Sequence, residues 1–210
     1  MHIYAFGSIC RGEINIDSDV DLLAIVSGFD DRFNPDTYSI CSYRQIEQIW
    51  IEGNPFAWHL AIESRLLFSS DGSDFLEAKG NPARYDLCLR DCEKFQALFH
   101  DARSSIDLRS TTLTFDLSMI FLAIRNFSTC YSMGVLDKPD FSRHAALRIG
   151  DRSLSVPEEV YKILERARIL CTRGHGAAIT KSEAELAVKH FPAIHQWMSK
   201  RMLEVSGHGA

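Results

Sequence analysis

Two aspartates, Asp19 and Asp21, flank Val20 at the start of an apolar run that ends at Val26. In a β-strand, side chains two residues apart point to the same face, so Asp19 and Asp21 are expected side by side, with Val20 and Leu22 facing the core. Two close carboxylates repel each other unless a cation lies between them. Mg²⁺ binds carboxylates together with substrate phosphates, so the pair predicts a site for Mg²⁺, or Mn²⁺ in its place.

A Gly-Ser pair precedes these aspartates, at Gly7 and Ser8, after the strand-like segment that begins near Tyr4. Glycine permits a close approach of the backbone, and Ser8 is expected to cap a short following helix. Backbone amides and a hydroxyl would then point at an anion. Phosphate and metal are therefore expected to bind at one place.

This combination resembles the active-site signature of the nucleotidyltransferase superfamily that includes DNA polymerase beta. The resemblance rests on the Gly-Ser pair, on the Asp-x-Asp that begins eleven residues after Ser8, and on its apolar flanks. Arg11-Gly12 and Ser18 resemble accessory positions of the minimal nucleotidyltransferases and the aminoglycoside nucleotidyltransferases. The resemblance covers about the first 80 residues.

The resemblance implies a role for each matching residue. Asp19 and Asp21 would hold the metal, and Gly7, Ser8, Arg11 and Ser18 would contact the nucleotide. A third carboxylate from a neighbouring strand would help bind a second metal and activate the attacking hydroxyl. Asp36 is the first choice for this third catalytic acid and Glu63 the second. Without such an acid the site would bind nucleotide but not turn it over.

The charges divide unevenly along the chain. Residues 1–80 carry 13 acidic and 5 basic side chains, whereas residues 81–210 carry 15 acidic and 18 basic ones. An acidic metal-binding module followed by a mildly basic one suits the binding of a triphosphate. Neither half has the concentrated Lys/Arg face of a duplex-DNA-binding protein, so no strong nucleic-acid signal is present.

The pattern of apolar residues predicts an α+β fold: a small mixed sheet with flanking helices, followed by a helical bundle. Gly80-Asn-Pro82 is the predicted boundary between a nucleotidyltransferase-like domain, 1–80, and a helical domain, 81–210. The predicted elements are strands over 36–42 and 65–68, and helices over 43–52, 56–63, 85–106, 113–131, 157–173 and about 182–205, the last split or kinked at Pro192.

The helical half contains a second candidate site at Arg125, Asn126 and Tyr131. Helical domains of the HEPN group often accompany minimal nucleotidyltransferases and carry an Arg, a polar residue and then a His that acts in RNA cleavage. Arg125-Asn126 resembles the first half of that motif, but no His occurs in the following seven positions. We therefore expect no ribonuclease activity and a structural role for Arg125. His59, His144 and His175 are likewise expected to be structural or exposed.

The leading expectation is transfer of a nucleoside monophosphate from a Mg-bound triphosphate such as ATP to a hydroxyl of a small molecule or protein. The alternative is a non-catalytic nucleotide-binding or antitoxin-like, defence-associated interaction protein. The longest apolar runs fall short of the ~20 residues of a membrane span, and a cytoplasmic protein without a membrane partner is expected. The six scattered cysteines favour free thiols over zinc. A homodimer through the helical domain is a further expectation.

Overall fold

The computed structural model describes residues 1–13 and 20–208. These form two compact units, Met1–Asp86 and Leu87–Ala210. The first contains a four-stranded sheet and short helices, and the described residues of the second form helices and connecting loops without a strand. The predicted α+β class is thus confirmed. The domain boundary at Gly80 stays a prediction.

The sheet of the first unit has the strand order β3-β2-β1-β4. Its strands are β1 His2–Phe6, β2 Asp21–Val26, β3 Tyr38–Ser42 and β4 Ser64–Ser69. β1 runs antiparallel to β2 and β4, while β2 and β3 are parallel. The end of β1 therefore meets the starts of the other three strands at one edge of the sheet.

Three α-helices accompany this sheet: α1 Tyr43–Ile51, α2 Pro55–Glu63 and α3 Phe75–Lys79. Ser42 and Gln45 form a capping box that starts α1, and Asn54 caps α2 ahead of Pro55, a favoured first-turn residue. The helices bury one face of the sheet in a core that contains Tyr4, Phe6, Leu23, Ile25, Ile46, Trp50 and Leu60.

The segment after α3 packs onto the helices of the first unit through two tryptophans. Trp50 Nε1 donates to Gly80 O and Trp58 Nε1 donates to Ala83 O, each at 3.0 Å. Gly53 has φ +62°, and a Cβ there would lie 2.3 Å from Arg84 O. Only glycine combines this backbone conformation with so close an approach.

The second unit is built from α4 Cys88–Ser105, α5 Leu113–Gly134, α6 Glu158–Arg173, α7 Lys181–Lys189 and α8 Phe191–His208. Cys88 and Cys92 near the start of α4 contact the carbonyls of Cys130 and Phe127 near the end of α5, so these two helices pack antiparallel. The predicted split at Pro192 is also confirmed, since α8 begins one residue before it.

Candidate active site in the sheet unit

The edge of the sheet at which β1 ends and β2, β3 and β4 begin carries the candidate residues Gly7, Ser8, Arg11 and Asp21. Phe6 at the end of β1 pairs with Asp21 on one side and with Ser64 on the other, and Leu22 pairs with Tyr38. Neighbouring strands lie about 4.8 Å apart. The turn after β1, the first residue of β2 and the last residue of α2 are thereby brought to one edge.

A short 3-10 turn, Gly7–Arg11, follows β1 directly. Gly7 has φ +77°, and a Cβ at this position would lie 2.6 Å from Asp21 Oδ2. The backbone of the turn and the carboxylate of Asp21 therefore face each other with no room for a side chain between them. Asp21 itself is exposed at the start of its strand.

Two sequence expectations about this edge are wrong. Val20 is 50% exposed rather than facing the core, because it precedes β2 and burial on its face of the strand becomes complete only at Ala24. Ser8 does not cap the following helix, since it lies within the 3-10 turn, whose N-cap position is Phe6 without a side-chain hydrogen bond.

Two of the predicted site residues, Ser18 and Asp19, lie outside the described residues, so their roles stay predictions. Asp36 lies in an exposed turn two residues before β3, which begins at Tyr38 rather than at residue 36. Its amide donates to Asn34 Oδ1 at 2.9 Å, as is typical of a turn led by Asn. β3 begins at the same edge of the sheet as β2, but Asp36 precedes the strand.

Arg11 and Glu63 form an ion pair at this edge. Arg11 NH1 contacts Glu63 Oε2, and Arg11 Nε donates to Glu13 Oε2 at 3.0 Å. Glu63, the last residue of α2, is 8% exposed. His59, one turn earlier in α2, has Nε2 2.9 Å from Glu63 Oε2. The same surroundings include Cys10, whose thiol pKa is raised mainly by burial and, to a smaller extent, by the nearby Glu63 carboxylate.

Of the two predicted metal ligands, Asp21 lies among the described residues and Asp19 does not. Asp21 supplies an exposed carboxylate beside a backbone cradle that a Cβ at Gly7 would fill, which fits a hard cation shared with phosphate. Across residues 1–13 and 20–208, no group of three or more His, Cys, Asp or Glu side chains is arranged to hold a metal ion.

The sheet unit is similar to a known protein family. Residues 2–78 match the family model of the nucleotidyltransferase domain. The match spans β1, the Gly7–Arg11 turn, Asp21 and α2, and it supports a general role in nucleotidyl transfer. Nucleotidyltransferase domains generally use divalent metals. Searches of curated proteins and of solved structures each find no significant match to the chain.

The candidate residues of the helical unit fall into two separate places. Arg125 NH2 donates to Phe141 O at 2.7 Å, and Arg125 NH1 lies 3.4 Å from Asn126 Oδ1. Tyr131, six residues later on α5, donates to Glu204, which also accepts from Arg152 Nε at 3.1 Å. Six residues correspond to about 240° around a helix, so Arg125 and Tyr131 point to different faces.

The surroundings of Tyr131 change the ionisation of its hydroxyl. Burial raises the pKa of the Tyr131 hydroxyl, and the bond to Glu204 adds to this rise.

Among the helices in the described part of the chain, none has both the length and the apolar character needed to cross a membrane.

Sequence reasoning missed the pairing of Glu63 with Arg11 and His59. The spacing of His59 and Glu63, four residues apart in a predicted helix, indicates that the two side chains can meet. Arg11 lies 52 residues from Glu63 along the chain, and no local pattern connects them.

Proposed function

We propose that the first unit transfers a nucleoside monophosphate from a Mg-bound nucleoside triphosphate such as ATP to a hydroxyl group of a small molecule or a protein. The observation that carries the proposal is the direct approach of the Gly7 backbone to Asp21 Oδ2 within the region that matches the nucleotidyltransferase domain. A turn backbone facing a carboxylate at one edge suits a phosphate chain and its counter-ion better than an isolated acidic turn.

In this proposal Asp19 and Asp21 hold Mg²⁺, or Mn²⁺ in its place. When bound, the ion neutralises charge on the phosphates and orients an in-line displacement with pyrophosphate leaving. The Gly7–Arg11 turn lies against the phosphates, with the Ser8 hydroxyl as a donor and Ser18 as an accessory contact. Gly7 is required because any larger residue would displace the Asp21 carboxylate.

Asp36 is proposed as the general base, whose carboxylate accepts the proton of the attacking hydroxyl. A general base has to come within hydrogen-bond reach of that hydroxyl, directly or through one water. Asp36 precedes a strand that begins at the same edge as Asp21, which supports the proposal. The remaining candidate, Glu63, already has its charge balanced by Arg11.

A second candidate function is a non-catalytic nucleotide-binding protein of the antitoxin-like or defence-associated kind. It is favoured by the exposure of Asp36 in a turn outside β3. A domain that holds the metal and the phosphates without a base would bind triphosphate and release it unchanged.

Turnover separates the two candidates. The chain is incubated with each α-labelled triphosphate, Mg²⁺ or Mn²⁺ and panels of hydroxyl-bearing small molecules and proteins, and label transfer and pyrophosphate are measured. We expect transfer by the native chain, loss of transfer in Asp36→Ala with triphosphate binding retained, and native transfer in the control Asp31→Ala, another exposed acid of the same loop. Triphosphate binding without turnover under every condition would favour the non-catalytic candidate.

A further inference from the structure

Glu63 has a buried carboxylate that forms an ion pair with Arg11, the last residue of the Gly7–Arg11 turn. Its side chain is 10% exposed, and that of Arg11 is 17% exposed. A buried carboxylate whose partner is removed remains as an uncompensated charge, which is strongly destabilising. The pair therefore holds the last residue of the Gly7–Arg11 turn against the end of α2.

The beginning of the turn is held by the same helix. Phe6, which precedes Gly7, packs edge-on against Phe56 and His59 of α2, with ring centroids 5.7 and 5.6 Å apart. His59 also approaches Glu63, so the aromatic contact and the ion pair meet on one face of α2. α2 thus contacts both ends of the turn, Phe6 just before its first residue and Arg11 at its last.

The turn needs such support because it is short and bounded by two glycines. Gly7 and Gly12 both have positive φ, at +77° and +73°, and a 3-10 segment of five residues has weak hydrogen-bond geometry of its own. Two backbone bonds close it, from Gly12 N to Ile9 O at 3.2 Å and from Glu13 N to Ser8 O at 3.0 Å. Both bonds lie next to Arg11.

We propose that Glu63 is a positioning residue which, through Arg11, fixes the Gly7–Arg11 turn in the conformation that receives the triphosphate. Arg11 accordingly acts through its ion pair with Glu63 rather than by contacting the phosphates. Glu63 is then neither a metal ligand nor the third catalytic acid. This inference rests on the proposed function, although the anchoring of the turn can be measured without nucleotide.

The test compares Glu63→Gln, Arg11→Gln, the double variant and the control Glu77→Gln, an exposed acid on α3 of the same unit. Hydrogen exchange is first measured without nucleotide. We expect faster exchange of the Gly12 and Glu13 amides in both single variants, native rates in Glu77→Gln, and unchanged rates for the β1 amides, which report that the unit remains folded.

Calorimetric titration with Mg-ATP follows. We expect each single variant to bind about tenfold more weakly or worse, the double variant no more weakly than the weaker single, and Glu63→Asp, which keeps the charge, to recover most of the affinity. Unchanged exchange at Gly12 and Glu13 in Glu63→Gln would overturn the inference. So would a Glu63→Gln variant that binds Mg-ATP with native affinity but has lost turnover, because that combination is the signature of a catalytic acid. If the Glu63 and Arg11 variants exchange faster but the native chain binds no triphosphate, the anchoring of the turn is supported and the proposed function is contradicted.

Discussion

Two physical reasons favour glycine at position 7, and they can be tested separately. Its φ of +77° strains any other residue, and a Cβ would meet Asp21 Oδ2 at 2.6 Å. The obstructing atom is the end of a side chain, which can rotate away at small steric cost. The consequence of filling the space is therefore a displaced carboxylate rather than a broken fold.

We predict that Gly7→Ala binds Mg-ATP about tenfold more weakly or worse, a loss of about 1.4 kcal/mol or more, because the Asp21 carboxylate moves from the position that holds the metal. Gly72→Ala is the matched control, since Gly72 has a φ of +76° with nothing within 4 Å of the added Cβ. Both variants carry the same backbone strain, of about 1–2 kcal/mol. Isothermal titration that gives equal affinities for the two variants would contradict the placement of the site.

At the scale of elements, the ends of helices determine where side chains from distant parts of the chain meet. α2 ends at Glu63 immediately before β4, and this places the carboxylate beside the Gly7–Arg11 turn. α7 begins with a capping box in which Thr180 accepts from Glu183 N, while Glu183 accepts from Thr180 N at 2.8 Å. Glu183 also pairs with Arg166 of α6 at 2.6 Å, so one carboxylate joins two helices.

The cap of α7 predicts a pH dependence. The bond to Arg166 and the bonds to Thr180 lower the pKa of Glu183 to about 2. A carboxylate with a lowered folded-state pKa stabilises the fold above its unfolded pKa of about 4.3, and this contribution is lost as the pH falls towards 2. We expect Glu183→Gln to lower the free energy of unfolding of the helical unit by about 1 kcal/mol at pH 7.

Urea denaturation followed by circular dichroism at several pH values measures this effect. The difference between the native chain and Glu183→Gln should shrink as the pH falls from about 5 towards 2, because protonation progressively removes the charge of Glu183 from the native chain. Glu185→Gln is the control on the same helix, because Glu185 is 53% exposed and lies 3.8 Å from Lys181. A pH-independent difference between the native chain and Glu183→Gln would mean that the charge of Glu183 does not contribute.

At the scale of the whole molecule, local patterns predict the elements better than the contacts between them. The alternating steps of three and four apolar residues predict both α4 and α5. α4 buries one face, at Cys92, Phe99 and Ala102, whereas α5 is buried on all sides from Phe127 to Met133. Alternation starts β3 two residues too early, since Asn34 and Asp36 form a turn that alternation alone does not reveal. The pair of Arg11 and Glu63 depends on the packing of α2 against the sheet, which no local spacing encodes.

The whole-molecule charge distribution agrees with the proposed site. The acidic excess lies within residues 1–80, where the predicted metal ligands are. A cation bound at the sheet edge reduces the mutual repulsion of the acids there, and a Mg-bound triphosphate presents less negative charge to them than the free nucleotide does. Triphosphate binding should therefore depend on the divalent ion.

Calorimetric titration of ATP into the chain, with and without Mg²⁺, tests whether Asp19 and Asp21 hold the metal ion on the triphosphate. We compare the native chain with Asp19→Asn/Asp21→Asn, which keeps side-chain volume and removes the two charges, and with Asp31→Asn as a control at an exposed acid of the same unit. We predict Mg-dependent binding by the native chain and by Asp31→Asn. The double variant should lose the Mg dependence while its thermal unfolding changes little. Native Mg-ATP affinity in a folded double variant would contradict this prediction.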